Sequence, residues 1–345
     1  MTAPARPRSA WRPIARAVLA VTLLNGGLTF LFGPPESFAD WEHTHAYAEV
    51  ARHAVVEHGE GPWWNPVLCG GVPALAHPQS RILTPFFLLH LLLGVPLALK
   101  LEVVLHTAIG ALGAALLARE WIPEAAGEAP AAVAALGFTG STAFTLHVAA
   151  GHPWILGAAW APWVLWATRR AGQGDLRFAA AGGVALALMI GEGAIYPAPM
   201  TGLFAAGIAL ELAVRRRSVR PLLALGLLGL LGVLLAAPKV VPMLDYITEV
   251  PRRLASTESL TLGQLATALL SPTQGLGRPF EWVRPWHEVG SYVGVLQAVL
   301  AVLGLVWARR RVGVLGAAVL LFAALALGHF AGWAPWALLH RLPPF

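Results

Sequence analysis

Long apolar runs dominate the chain, separated by short arginine clusters or by stretches rich in proline and glycine. The runs fall at 14–33, 97–118, 130–149, 153–168, 176–191, 194–214, 221–241, 291–308 and 312–330. Most approach the roughly 20 residues with which a helix crosses a hydrocarbon layer, and a locally thinned bilayer accommodates the shorter ones. The pattern predicts an all-α polytopic membrane protein of about nine transmembrane helices. Two intervening stretches are long enough to be structured. The first, 34–96, starts with a helix expected over 40–58 and continues through GPWWNPVLCGGVPALAHPQS (61–80), where Gly, Pro and Asn punctuate a loop. It ends in ILTPFFLLHLLLG (82–94), too short to span and expected to lie in the interface or re-enter. The second stretch runs over 242–290.

Composition agrees with a membrane setting. Of 345 residues 57% are hydrophobic and 12% charged, about half the charged share of a soluble domain (~25%), and mean hydropathy is +0.64. A net charge of +6 would suit nucleic acid, but the basic residues form short clusters between apolar runs, as anchoring charges do, so no nucleic-acid partner is expected. Cys69 is the single cysteine, which excludes an intrachain disulfide.

Charge asymmetry orients the chain. With nine spans and a cytoplasmic N-terminus, the inner segments are the N-terminus and the turns near 120, 172, 217 and 310. They hold 15 of the 24 Lys and Arg residues, Arg215, Arg216 and Arg217 among them, whereas 13 of the 18 acids fall outside. Both long stretches then lie on the outer face, as do all 12 histidines or the span ends that carry them. The N-terminus also has the layout of a secretory signal, with Ser37-Phe38-Ala39 as a cleavage site. Its apolar stretch is longer than such signals use and Pro34-Pro35 intervenes, so it is read as the first span.

The outer face is therefore where acid–base or metal chemistry is expected. FADWEHTH (38–45) concentrates four titratable groups just beyond the first span. Asp40, close to the bilayer surface, suits a general base that takes a proton from an incoming hydroxyl. Equally, Ser37-Phe38-Ala39-Asp40 fits a capping box that satisfies backbone donors at a helix start. Asp40 and His43 share a face at i, i+3, as do Glu42 and His45. Either pair offers two ligands to a divalent cation such as Mg²⁺ or Mn²⁺, although a solvated helix face explains them as well. Arg81, His152, Lys239, Arg252 and Arg253 are outer cations suited to a phosphate, with snorkelling to the interface the plainer role for Lys239. Glu192 in GEGAIYP, at the outer end of a span, is a candidate because ionisable groups at that depth serve function. Lys100 and Glu102 read as interface anchors beside a span start.

GPWWNPVLCGGVPALAHPQSRILTPFFLL resembles the hallmark stretch of YfhO-like bacterial membrane proteins, carried by Pro62, Trp64, Asn65, Pro66, Gly70, Gly71, Pro73, Ala76, Pro78, Gln79 and Ser80. Weaker similarity follows in GHPWILGAAWAPWVLWA (151–167), LLAAPKVVPMLDYI (234–247) and SYVGVLQAVLAVLGL (291–305). That family looks related to the GT-C glycosyltransferases, which use polyprenyl-phosphate sugars at the outer face of the inner (plasma) membrane. The resemblance implies a single GT-C-like transmembrane domain over 1–345, with Asp40 in the position of the catalytic base. It implies an inverting transfer to a cell-envelope glycan or lipid, and Asn65 and Gln79 join Glu192 as outer-face candidates. Two departures stand out. GEGAIYP occupies the place of a His-Pro-Gln-like segment, and the sequence ends at HRLPPF where relatives tend to continue into further spans. A transporter or flippase of a lipid-linked substrate, and a non-catalytic assembly partner of the same fold, are the alternatives.

The topology is directly testable. In a Cys69→Ser background, a cysteine at position 40 is expected to react with a membrane-impermeant maleimide on intact cells. One at position 217 should react only after permeabilisation, and the reverse pattern would invert the orientation.

Overall fold

The computed structural model describes residues 11–27, 40–250, 258–273 and 289–342, and these are mostly helical. Helix α1 (Arg12–Val21) runs on through a π turn to Gly26. Then come α2 (Trp41–Val56), α3 (Phe87–Leu93), α4 (Val95–Ala118), α5 (Ala129–Thr139) and α6 (Thr142–Ala149). After a 3₁₀ segment, Pro153–Trp160, follow α7 (Ala161–Gly172), α8 (Arg177–Gly191), α9 (Pro197–Arg216) and α10 (Arg220–Glu249). The remaining helices are α11 (Leu262–Leu270), α12 (Val295–Trp307), α13 (Arg309–Ala326) and α14 (Pro335–Leu339). The two-residue strands Trp64–Asn65 and Val72–Pro73 pair antiparallel within the first long loop.

Four stretches are long and apolar enough to cross a membrane: Val95–Ala118, Ala129–Ala149, Pro197–Arg216 and Arg220–Glu249. Arg177–Gly191, Val295–Trp307 and Arg311–Ala326 are apolar but shorter. The expected helix over 40–58 is α2, and the short piece in 82–94 is α3. Two expected spans are built differently from a single α-helix. That over 130–149 breaks at Gly140–Ser141, where Ser141 is extended (φ −67°, ψ 149°), and the Asn25 amide donates to the Thr139 carbonyl freed there (2.6 Å). That over 153–168 begins as 3₁₀ and turns α-helical only at Ala161. Helix α10 also continues past Pro238 and Pro242, so the start of the second long stretch is helical as far as Glu249.

Small residues let the helices approach closely, which is how packing stabilises a bundle when the surroundings are as apolar as the side chains. Ile14, Ala17 and Val21 of α1 meet Ala111 and Ala115 of α4 and Ala131 and Ala135 of α5. Ala179 and Ala185 of α8 share a second cluster with Val164 and Ala167 of α7 and Ala224 and Leu228 of α10. Along the α8–α10 crossing, Gly182 and Gly183 face Leu228 and Leu231, while Gly232 faces Leu186. At the other extreme, α12 buries none of its residues and exposes Leu296, Leu300, Val302 and Val306, an apolar surface that suits lipid contact.

The crossing predicts a contrast between two glycines. A Cβ at Gly183 would sit 2.8 Å from Leu231 Cβ and 3.2 Å from the Gly232 backbone nitrogen, whereas one at Gly226 meets nothing within 4 Å. Gly183→Ala is expected to cost about 1–3 kcal/mol by overpacking, and Gly226→Ala to be neutral or slightly stabilising. Thermal unfolding of the two variants in detergent micelles compares them.

Candidate functional site

Helix α2 is anchored at its first turn to the bend between α6 and the 3₁₀ segment. The Asp40 amide donates to Ala150 O (3.0 Å), the Trp41 indole to Ala149 O (3.2 Å) and the Thr44 hydroxyl to Gly151 O (3.0 Å). Gly151 makes this approach possible: it has φ +78°, and a Cβ there would lie 2.3 Å from Trp41 N. Asp40 precedes the first helical residue, but its carboxylate caps no backbone donor. The Ser37 of the expected capping box lies outside the described residues. Asp40 Oδ2 instead lies 3.1 Å from His152 Nε2, and the Asp40 side chain stays 59% exposed. His152 Nδ1 in turn lies 2.9 Å from His147 Nδ1.

This pair opens on a cavity of about 1070 Å³. Its lining includes the polar residues Asp40, His43, His77, Gln79, Arg81 and His152 and the apolar residues Phe87, Leu99, Leu260 and Leu325. Trp154 and Tyr196 stand at the lining 5.1 Å apart in edge-to-face contact. His77 packs on Tyr47 with ring centroids at 5.3 Å. Burial, and then the charge of Lys239, hold the His77 imidazolium form below its ordinary range.

Behind the polar wall is a buried cluster of ionisable groups. Arg81 binds Glu192 Oε2 through Nε (2.9 Å) and a terminal nitrogen (2.5 Å), and reaches Glu102 Oε2 at 2.7 Å. His90 Nε2 lies 2.9 Å from Glu102 Oε1. His106 Nδ1 donates to the Glu102 backbone carbonyl (2.7 Å), and its Nε2 stands 3.3 Å from Glu192 Oε1. Lys239, from the proline-containing part of α10, donates to the backbone carbonyls of Ser80 and Gly191. Glu102, His106, Glu192 and Lys239 are each at most 2% exposed. Charges are held at that depth by mutual compensation, and removing one partner of such a pair costs about 3–5 kcal/mol. Gly193 (φ +72°) completes the junction, since a Cβ there would be 2.8 Å from the Gln79 backbone.

The structure sorts the residues singled out from sequence. Asp40, His43, Gln79, Arg81 and His152 line one cavity. Arg81 is at the same time committed to two carboxylates, and Lys239 to two carbonyls. Glu192 is fully buried as Arg81's partner. Asn65 is buried in its own loop, its side-chain oxygen accepting from Val67 N (3.1 Å). Arg252 and Arg253 lie outside the described residues. Glu42 is exposed, and His45 packs edge-on against Trp41 at 6.1 Å. No three His, Cys, Asp or Glu side chains among the described residues converge on a metal-sized point, so Glu42, His43 and His45 do not form a Mg²⁺ or Mn²⁺ shell by themselves. Glu102 is a correction: it is not an interface anchor but a buried partner of Arg81. Its signal in the sequence was the i, i+4 spacing to His106 inside an apolar run. His147, whose partner lies five residues on, had no such signal.

Together these features define a mostly helical protein with four stretches long and apolar enough to cross a membrane and a cavity lined by both polar and apolar residues. No family model, no curated protein and no solved structure matches the chain.

The clamp around Gly151 is open to test. Gly151→Ala forces a side chain into a left-handed backbone position against Trp41, a strain of about 1–3 kcal/mol. Amide hydrogen exchange at Asp40 and Thr44 is expected to accelerate at least several-fold, with exchange along α8 and α10 unchanged.

Proposed function

We propose that the chain is a membrane glycosyltransferase that takes its sugar from a polyprenyl-phosphate carrier at the extracytoplasmic face. Asp40 serves as the general base in an inverting transfer to a cell-envelope glycan or lipid. The observation that carries this reading is the Asp40–His152 pair at a cavity whose lining holds both polar and apolar side chains. The likeness of residues 61–89 to the YfhO-like stretch, and through it to GT-C enzymes, supports the same reading. In this proposal the chain crosses the bacterial inner membrane about nine times with its N-terminus in the cytoplasm, which puts the cavity on the outer side.

The proposed chemistry uses the Asp40–His152 pair and the cavity beside it. A carboxylate positioned by a histidine takes the proton of an acceptor hydroxyl as the oxygen attacks the sugar C1. The C1–oxygen bond to the carrier breaks, and the lipid phosphate leaves with the electron pair. The apolar lining residues of the cavity give the first isoprene units somewhere to lie, and His43, His77 and Gln79 offer hydrogen bonds to sugar hydroxyls. Arg81 is bound from behind by Glu102 and Glu192, so in this scheme its role is to shape the wall rather than to neutralise phosphate alone.

A second reading draws on the buried cluster. Ionisable groups held deep among apolar helices are what carriers use, so a transporter or flippase of a lipid-linked substrate is the competing proposal. A non-catalytic assembly partner of the same fold is the third.

Asp40→Asn separates them. The amide keeps the size of the side chain but is not a base, so sugar transfer from polyprenyl-phosphate donors in membranes is expected to fall at least 100-fold with donor binding retained. Equal turnover by both proteins would remove Asp40 as the base. Undiminished movement of donor across vesicles without transfer would favour the carrier.

A further inference from the structure

His152 has both ring nitrogens engaged, one by Asp40 Oδ2 at 3.1 Å and the other by His147 Nδ1 at 2.9 Å. An ionised carboxylate only accepts hydrogen bonds, so with Asp40 ready to act as a base, His152 Nε2 must carry a hydrogen. A neutral imidazole has a single N–H, which leaves His152 Nδ1 as an acceptor. The hydrogen between the two rings therefore belongs to His147. The bonds run in one direction, from His147 Nδ1–H to His152 Nδ1 and from His152 Nε2–H to Asp40 Oδ2.

The surroundings keep the rings in that register. The His152 amide donates to the His147 carbonyl (2.9 Å) and Gly151 N to Val148 O (3.1 Å), closing the turn that brings the imidazoles together. Trp154 lies against both, 4.6 Å from His147 and 6.1 Å from His152, the latter nearly parallel at 19°. A ring flip at His152 would have to displace the indole and break both hydrogen bonds.

We propose that His147 is a positioning residue that holds the His152 ring through Nδ1, so that Nε2–H stays on Asp40 Oδ2 and Oδ1 is offered to the acceptor hydroxyl. The hydroxyl O–H bond breaks as Oδ1–H forms. Asp40 then loses that proton to water through its exposed edge, and neither histidine changes its proton count. The catalytic part rests on the general-base reading of Asp40, whereas the direction of the hydrogen bonds does not.

The test reads both parts separately. In full-length protein labelled with ¹⁵N-histidine in detergent micelles, near pH 8.5, where an ordinary imidazole is neutral, His152 is assigned by loss of its resonances in His152→Gln. It is expected to show a protonated Nε2 and a bare Nδ1. His147→Phe should leave His152 Nδ1 without its donor, which moves the Nδ1 resonance toward that of a free acceptor nitrogen, and lower glycosyl transfer roughly 10–100-fold, the range for losing a group that orients a functional imidazole. His147→Asn, whose amide places an N–H near the position of Nδ1, should restore both. A protonated Nδ1 on His152 in the wild-type protein would overturn the proposal without any variant having to fold. So would an unchanged Nδ1 resonance and unchanged transfer in His147→Phe. The expected tautomers together with no transfer from any donor would uphold the hydrogen-bond direction and sink the general-base reading instead.

Discussion

Arg81 is the tie between the first long loop and the helices. A guanidinium almost removed from solvent is tolerable only with its charge matched, and Glu102 from α4 and Glu192 from the end of α8 match it. Lys239 reinforces the junction from α10 by holding the carbonyls of Ser80 and Gly191. Three helices and one loop thus meet at charges that none could bury alone. The cavity exists because this junction presses residues 77–81 against the bundle, opposite the turn that holds Asp40 and His152.

The second constraint is steric. Gly151 and Gly193 lie where two backbone segments touch, each with positive φ and with no room for a side chain. One brings Asp40 to His152 and the other brings Gln79 to the GEG turn. The polar wall is accordingly a product of backbone proximity as much as of charge. Asp40 is the exposed carboxylate of that wall, whereas Glu102 and Glu192 are buried against Arg81.

Helix positions were legible in the sequence because a membrane-length apolar run has few other ways to fold. Four of the nine expected runs, 97–118, 130–149, 194–214 and 221–241, fall in helical stretches long enough to cross a membrane, and α2 and α3 stand where the polar–apolar pattern put them. The break at Gly140–Ser141 was not legible, since the group that satisfies its freed carbonyl is Asn25, more than a hundred residues away. The convergence of Asp40, His43, Gln79, Arg81 and His152 on one side was foreshadowed by charge placement, but their pairings were not. Spacing along one helix says nothing about Arg81 finding Glu192 across 111 residues. Glu102 was misread for the same reason: beside a span start, a carboxylate resembles an anchor until its distant cation is known.

The junction has a consequence for biogenesis. Glu102 emerges from the ribosome soon after Arg81, but Glu192 follows 111 residues later and Lys239 trails Ser80 by 159. During synthesis the loop can recruit its first counter-ion early, yet its backbone carbonyls wait for the latest helix of the junction. The cavity wall is thus assembled in stages as the nascent chain is inserted. The junction closes once α10 has arrived, but the cavity lining also takes Leu260 and Leu325 from later in the sequence, so the site matures after the junction does.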